Sequence, residues 1–445
     1  MQLNVSEVID RSPVGAFQIR VVFLCALVAL LDGLDIQTMA LVAPVLAAEW
    51  GLAPSAFGLV FSGFFFGLMG GALIGGLAGD KFGRRTVLIA AFLLVGVTSI
   101  LTAFATNIDQ LLIYRLLTGI GIGSCMPNFT ALTAEYVPSK RVGLFVTVMY
   151  SAVPLGGVTG GYLAPPVIAA FGWQAVFIAG GAIPIAIALV LIAFMPESIR
   201  FLVTQQKNAA KVGAYLQKID TTYRYSPEDQ FDIQRQPKGG SLPVLFSEGR
   251  APVTLLLWAV TFFSLFGMYL LVSWLPSVFA EQGWPRAQAL QSAANFQLGG
   301  IVGGVTLGWL IDRYGPYQIL APTFVAAALL TAAIGVIEGS LVLTMLVIAL
   351  SGFAIVGAQL GMTALAANLY PTTARSTGVG WALGIGRAGA VISPMAGGMA
   401  LAAGWDRPAL FAGAAVAPFI CAAFTVLLWA AARRMAARAA IVPAL

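Results

Sequence analysis

Apolar runs close to 20 residues long recur along the whole chain, separated by short polar breaks. A helix needs about 20 such residues to cross a hydrocarbon core about 30 Å thick, so each run predicts a membrane span. Twelve fit that criterion, at roughly 17–47, 55–79, 86–105, 109–134, 143–170, 173–195, 252–280, 287–311, 317–337, 341–368, 376–403 and 407–432. One long stretch breaks the rhythm: from Pro196 to Arg250 the chain is polar and charged, with Pro227, Pro237, Gly239 and Gly240. The expected layout is a six-helix half over residues 1–196, a cytoplasmic linker over 197–250 and a second six-helix half over 251–445.

Composition agrees, since 59% of the 445 residues are hydrophobic and 9% are charged, whereas soluble domains are about 25% charged. A soluble enzyme is thereby excluded. Cys25, Cys125 and Cys421 all fall inside apolar runs without metal-ligand spacing, so neither disulfide, metal nor other cofactor is expected. The first apolar run is too long for a signal peptide and reads as a retained span. Charge fixes orientation: with alternating sides, twenty of the 24 Lys and Arg fall on one face, and only Arg286 and Arg407 on the other. Positive charge gathers on the cytoplasmic side, which puts both termini and the linker there. The formal charge of +6 is thus a topology signal and gives a nucleic-acid partner no support.

The chain also repeats itself. Gly76-Leu77-Ala78-Gly79-Asp80-Lys81-Phe82-Gly83 follows the second run, and Gly308-Trp309-Leu310-Ile311-Asp312-Arg313-Tyr314-Gly315 follows the eighth, 232 residues later. Glu135-Tyr136-Val137-Pro138 and Asn368-Leu369-Tyr370-Pro371 form a second match, at an offset of 233. Parallel duplication with a ligand site between the halves is one known transporter plan. Glycines every four residues, Gly63 to Gly79 in the second run and Gly300, Gly304 and Gly308 in the eighth, predict helix faces that approach closely. Gly119-Ile120-Gly121-Ile122-Gly123 lies within an apolar run and is no phosphate loop.

Together these features resemble the major facilitator superfamily over essentially the whole chain. The segment Gly76 to Arg85 is similar to its signature between the second and third helices, with mild departures at Ala78 and Gly79. The second copy keeps Asp312, Arg313 and Gly315 but has Pro316 and Tyr317 in place of the basic pair Arg84 and Arg85. The resemblance implies a gating role for Gly76, Asp80, Gly83, Arg84, Arg85, Asp312 and Arg313. Arg115 followed by Gly119, Gly121 and Gly123 is similar to a fourth-helix motif of proton-coupled members. More narrowly, Asp32-Gly33-Leu34-Asp35, Pro196-Glu197-Ser198 and Gly386-Arg387-Ala388-Gly389 resemble the aromatic acid:proton symporter family, which implies import of benzoate-type acids such as hydroxybenzoates or protocatechuate. Phthalate-type and sugar-acid carriers, and a sensor derived from a transporter, are the competing readings.

Chemistry singles out the same residues. Asp32 lies 12 residues beyond Arg20, about 18 Å along a helix, with Asp35 one turn on and on the same face. Ionisable groups at that depth are functional by default. Burial and mutual repulsion both favour the protonated form of at least one, which suits a proton carrier in a chain with no histidine; the alternative is a hydrogen bond between helices. Arg387, equally deep, can fork onto a carboxylate, or else pair permanently with Asp32 or Asp35. Arg115, about 9 Å from the outer end, reads as a coupling residue or as an anchor that snorkels outward. Glu135 reads as a gating ion pair or a solvated charge. Phe64, Phe65, Tyr269, Trp274, Phe296 and Trp381 are candidates for stacking on a ring, and Asn128, Gln297, Gln359 and Asn368 for binding its hydroxyl groups. The expectation is a monomeric multi-pass symporter of a bacterial inner membrane, importing a small aromatic carboxylate with protons.

Overall fold

A computed structural model of the chain describes residues 2–205, 208–220, 222–226, 229–232, 242–370 and 374–441. The helices, in chain order, are α1 (Val5–Arg11), α2 (Ala16–Trp50), α3 (Phe57–Phe82), α4 (Arg84–Ala103), α5 (Ile108–Tyr136), α6 (Val142–Tyr150), α7 (Ala152–Phe171) and α8 (Trp173–Phe194). Then come α9 (Ile199–Thr204), α10 (Ala209–Ile219), α11 (Ala251–Glu281), α12 (Arg286–Tyr314), α13 (Pro316–Val336), α14 (Leu341–Leu369), α15 (Arg375–Ala402) and α16 (Arg407–Ile441). Among the described residues nine helices are long and apolar enough to cross a membrane, with α6 and α7 taken as one span, or ten if bent α1 and α2 count as another. Helices α5 and α15 are also of spanning length, at 29 and 28 residues, and carry the in-span arginines Arg115 and Arg387. Each of the twelve apolar runs thus has its helix.

Duplication is written into the contacts. Asn107 caps α5 by accepting from the Gln110 amide, and Ser340, 233 residues on, caps α14 from the Leu343 amide. Thr98 bonds Thr118 at 2.8 Å between α4 and α5; Thr331 bonds Ser351 at 3.1 Å between α13 and α14 at the same offset. The turns after α3 and α12 pivot on left-handed glycines, Gly83 at φ 95° and Gly315 at φ 90°, a conformation that side chains resist.

The glycine faces need one correction. On α3 the expected ladder stands: β-carbons at Gly67 and Gly71 would lie 2.2 Å from the carbonyl oxygens of Leu116 and Ile120 on α5. On α12, however, the backbone contacts are made by Gly299 and Gly303, whose β-carbons would lie 1.8 and 2.1 Å from the carbonyl oxygens of Ala349 and Phe353 on α14. Gly300 and Gly304 face only the side chains of Val356 and Leu360, and Gly308 faces open space. The sequence offers two adjacent glycine series there, and hydropathy does not say which faces α14. Gly71→Ala should therefore destabilise the protein by about 1–3 kcal/mol through overpacking, read as a lower unfolding temperature in detergent. Gly70→Ala, with nothing within 4 Å, is the matched control and should stay near wild type.

Two compact units emerge. The first comprises Met1–Ile36, Phe66–Gly156 and Gln174–Gln236. Its core joins α2, α4, α5 and α8 to the polar segment, whose helices α9 and α10 bury Ile199, Leu202, Val212, Leu216 and Ile219 against Val5, Ile9 and Phe17. The segment read as a linker is thus partly a folded cap. A short parallel ladder joins β1 (Gln2–Asn4) to β2 (Gln230–Asp232), and the Ser139 amide donates to Asp10 at 2.7 Å. The second unit comprises Gln37–Phe65, Gly157–Trp173 and Pro237–Leu445. Here the far ends of α2, α3 and α7 pack on α11, α12 and α15: Tyr162 bonds Asn295 at 2.9 Å, and Ser62 accepts from the Met395 amide at 3.1 Å.

Candidate functional site

In the first unit the two aspartates of α2 are treated differently. Asp35 is 3% exposed and Arg115 on α5 is 0% exposed, and they form a two-pronged pair: Nη2 to Oδ2 at 2.9 Å and Nη1 to Oδ1 at 3.2 Å. The same Nη2 also donates to the Asp35 carbonyl oxygen at 3.1 Å. Ser99 on α4 donates to Oδ1 at 3.3 Å, and the Phe177 ring lies 5.8 Å from the guanidinium carbon. Arg115 therefore does not snorkel outward. Its charge is met at depth, where fork-to-fork geometry is strongest.

Asp32, one turn earlier, is 1% exposed, and its Oδ2 has no hydrogen-bond partner among the described residues. It lies close enough to Asp35 and to the Cys125 thiol for charge to act between them. The glycine between the aspartates explains the enclosure. A β-carbon at Gly33 would lie 1.8 Å from the Val153 carbonyl oxygen, and one at Gly156 would lie 1.9 Å from that of Leu30, so α2 and α7 cross backbone to backbone here.

A second cluster sits where α3, α4, α5 and α9 end. Arg84 pairs with Glu135 and lies 3.5 Å from Asp80, while Ser198 donates to the other Glu135 oxygen at 2.6 Å. Glu197 accepts from the Arg85 amide at 3.0 Å, and a β-carbon at Gly83 would lie 2.5 Å from its Oε2. Arg85 itself donates to the Ile192 carbonyl oxygen. Glu135 is thus ion-paired, not merely solvated. Gly76 meets only the edge of Pro127, at 3.9 Å. The second copy of the motif is built otherwise, with Arg313 lying over the rings of Trp309 and Tyr314 and Asp312 exposed at the end of α12.

The second unit holds the remaining candidates. Arg387 on α15 is near enough for its charge to act on the Tyr269 hydroxyl. Tyr269 packs on Phe65 with ring centres 4.4 Å apart, and Phe65 packs on Phe64 at 5.3 Å. An aromatic wall thus lies within electrostatic reach of an arginine. The glycines flanking Arg387 mostly serve packing: Gly386 and Gly389 meet Thr261 and Phe262 on α11, and only Gly384 faces open space. The other sequence candidates make contacts of their own. Trp274 spends its indole N–H on the Pro394 carbonyl oxygen at 3.0 Å. Phe296 is fully buried on α12 beside Gly352, and Trp381, 43% exposed, stacks on Trp258. Gln359 accepts from Ser264 at 2.7 Å, and Gln297 is buried with its Oε1 unpartnered. Asn128 bonds the Gly75 carbonyl oxygen at 2.8 Å, a packing role. The side chain of Asn368 lies outside the described residues.

Sequence reasoning missed Ser99, Ser198, Glu197 as an acceptor, and Gln37. The first three are ordinary polar residues whose partners are distant along the chain, and the Gln37 amide has no hydrogen-bond partner among the described residues. For Ser99 and Gln37 the one available signal was a polar side chain in an apolar run.

Comparison with known proteins follows the geometry. A family model described as Major Facilitator Superfamily matches residues 25–358 and 257–441. The chain is 38% identical over 407 residues to a 4-hydroxybenzoate transporter of Pseudomonas putida, covering 91% of each chain. It is 37% identical to a gallate transporter of the same species over 92% of this chain and 91% of that one. A benzoate transport protein of Acinetobacter baylyi is 33% identical over 90% and 87%. In fold, it is similar to the inward-open xylose transporter of E. coli, with TM-score 0.70 at 16% identity, covering 93% of this chain and 95% of that one.

Proposed function

The chain belongs to the major facilitator superfamily and is a multi-pass membrane transporter, not an enzyme; on that premise we propose that it is a symporter importing an aromatic carboxylate with protons. Alternating access of its two duplicated halves, in a bacterial inner membrane, carries out the exchange. The observation that carries coupling is the unequal fate of the two aspartates. Asp35 is neutralised by Arg115, whereas Asp32 is buried with an unpartnered oxygen. Among the described residues Asp32 makes no such ion pair, and a buried charge without a counter-ion is costly, so Asp32 is the proton carrier. Arg84, Glu135 and Asp80 form the cytoplasmic gate, an ion-pair cluster that can open as the halves move.

For the substrate, the names of the relatives support an aromatic acid, and Arg387 beside Tyr269 and Phe65 supports where it is held. Guanidinium takes the carboxylate and the rings take the ring face. The test is binding of an aromatic acid and its uncharged amide to purified protein. Wild type should favour the acid, since only the acid offers the guanidinium a full negative charge. Arg387→Gln should lose about 2–5 kcal/mol of acid binding, and Arg387→Lys should recover little of it because the fork is gone. Undiminished acid binding by well-folded Arg387→Gln would move the anion site elsewhere.

A further inference from the structure

Gln37 lies on α2, two residues beyond Asp35, and is 0% exposed; neither its Oε1 nor its Nε2 has a hydrogen-bond partner among the described residues. Gln297 on α12 is 5% exposed, and its Oε1 is likewise buried and unpartnered. The two meet at one place. A β-carbon at Gly157 on α7 would lie 3.0 Å from Gln297 Nε2 and 3.1 Å from Gln37 Cγ, so both side chains pack against the same glycine. Three orphaned amide atoms on two side chains that pack against one glycine are a costly arrangement, and buried polar atoms are nearly always satisfied in a finished protein.

We propose that Gln37 and Gln297 form a subsite for a ring hydroxyl, which makes the chain selective for phenolic aromatic acids over unsubstituted ones. The chemistry of the orphans points to that group. A carboxylate only accepts hydrogen bonds and would leave both Oε1 atoms unmet, whereas a phenolic hydroxyl donates to one amide oxygen and accepts from an amide N–H. Depth along the helices agrees. At 1.5 Å per residue, Gln297 lies about 22 Å from Asp312 on α12, and Phe65 lies about 22 Å from Asp80 on α3. Both glutamines also belong to the same compact unit as Arg387, Tyr269 and Phe65.

The assignment rests on the aromatic-acid reading, and the experiment separates the two. Purified wild type, Gln37→Leu, Gln297→Leu and the double variant are titrated with benzoate and with 2-, 3- and 4-hydroxybenzoate, and each unfolding temperature is measured without ligand. Wild type should bind at least one hydroxybenzoate more tightly than benzoate by about tenfold or more, because a site built for a hydroxyl penalises its absence. The leucine variants should bring that ratio close to one while keeping benzoate affinity, and should unfold at the same or a higher temperature, since apolar groups replace orphaned amides. Equal loss of benzoate and hydroxybenzoate binding, an unchanged ratio, or a lowered unfolding temperature would each overturn the subsite. Failure of wild type to bind any of the four acids would instead overturn the aromatic-acid reading, and the subsite with it.

Discussion

Arg115→Leu should cost about 3–5 kcal/mol of folding stability and abolish transport. The carboxylate of Asp35 is then left buried opposite an aliphatic chain, and removing one partner of a buried pair strands the other charge. Asp35→Leu should cost a similar amount, because it strands a guanidinium that is 0% exposed. Joining the two substitutions removes both charges together, so the double variant should regain most of the lost stability. Denaturant titration of the four proteins in one detergent closes the cycle. Losses that simply add would mean that the two side chains do not act as a pair, whatever their 2.9 Å separation. Transport by the double variant carries separate information. If it accumulates substrate normally, the pair is a structural staple, and coupling belongs to Asp32 alone.

Asp32→Asn should reduce uphill accumulation to simple equilibration. A monoanion entering with one proton moves no net charge, so only the pH gradient drives it, at about 1.4 kcal/mol or tenfold in concentration per pH unit. A second proton would add about 2.3 kcal/mol per 100 mV of membrane potential. Asparagine keeps the shape of the side chain and cannot take up the proton. Proteoliposomes with a one-unit gradient should thus fall from about tenfold accumulation to none, while exchange of labelled for unlabelled substrate continues. The contrast with Arg115 is informative: the Asp32→Asn variant should be as stable as wild type, since no charge is stranded. Retained accumulation would transfer the proton to another carboxylate, and Asp35 would be the first to examine.

The helices are largely legible in the sequence because hydropathy reports the bilayer directly. Predicted and observed limits agree within three residues for the first eleven runs; the last runs on to Ile441, because basic residues end an apolar run without ending a helix. The repeat is legible as well, and the paired threonines and caps extend it to contacts that the motifs do not include. What escapes is partnership. Arg115 and Asp35 are 80 residues apart, and Arg84 and Glu135 are 51 apart; each arginine has several acids within conceivable reach. The sequence allows Arg387 either α2 aspartate as a partner, yet Asp35 is held by Arg115. The glycine register on α12 fails for a related reason: Gly299 and Gly300 are equally small, and only the neighbouring helix distinguishes them. Gln37 is invisible because one amide in an apolar run has many innocent explanations, and its significance lies in what it does not touch.

The pairing of residues 2–4 with residues 230–232 has a consequence for how the protein is made. Gln2 to Asn4 leave the ribosome long before their ladder partners exist. At a synthesis rate of about 5–20 residues per second, roughly 10 to 50 seconds separate the two strands. During that interval the apolar side of α1, with Val5 and Ile9, has no cap to bury it, although the spans that follow are already entering the membrane. Assembly of this layer is therefore a late event, in which a waiting strand is captured by newly arrived chain. Anything fused ahead of residue 2 would be present throughout that wait and close to the capture site.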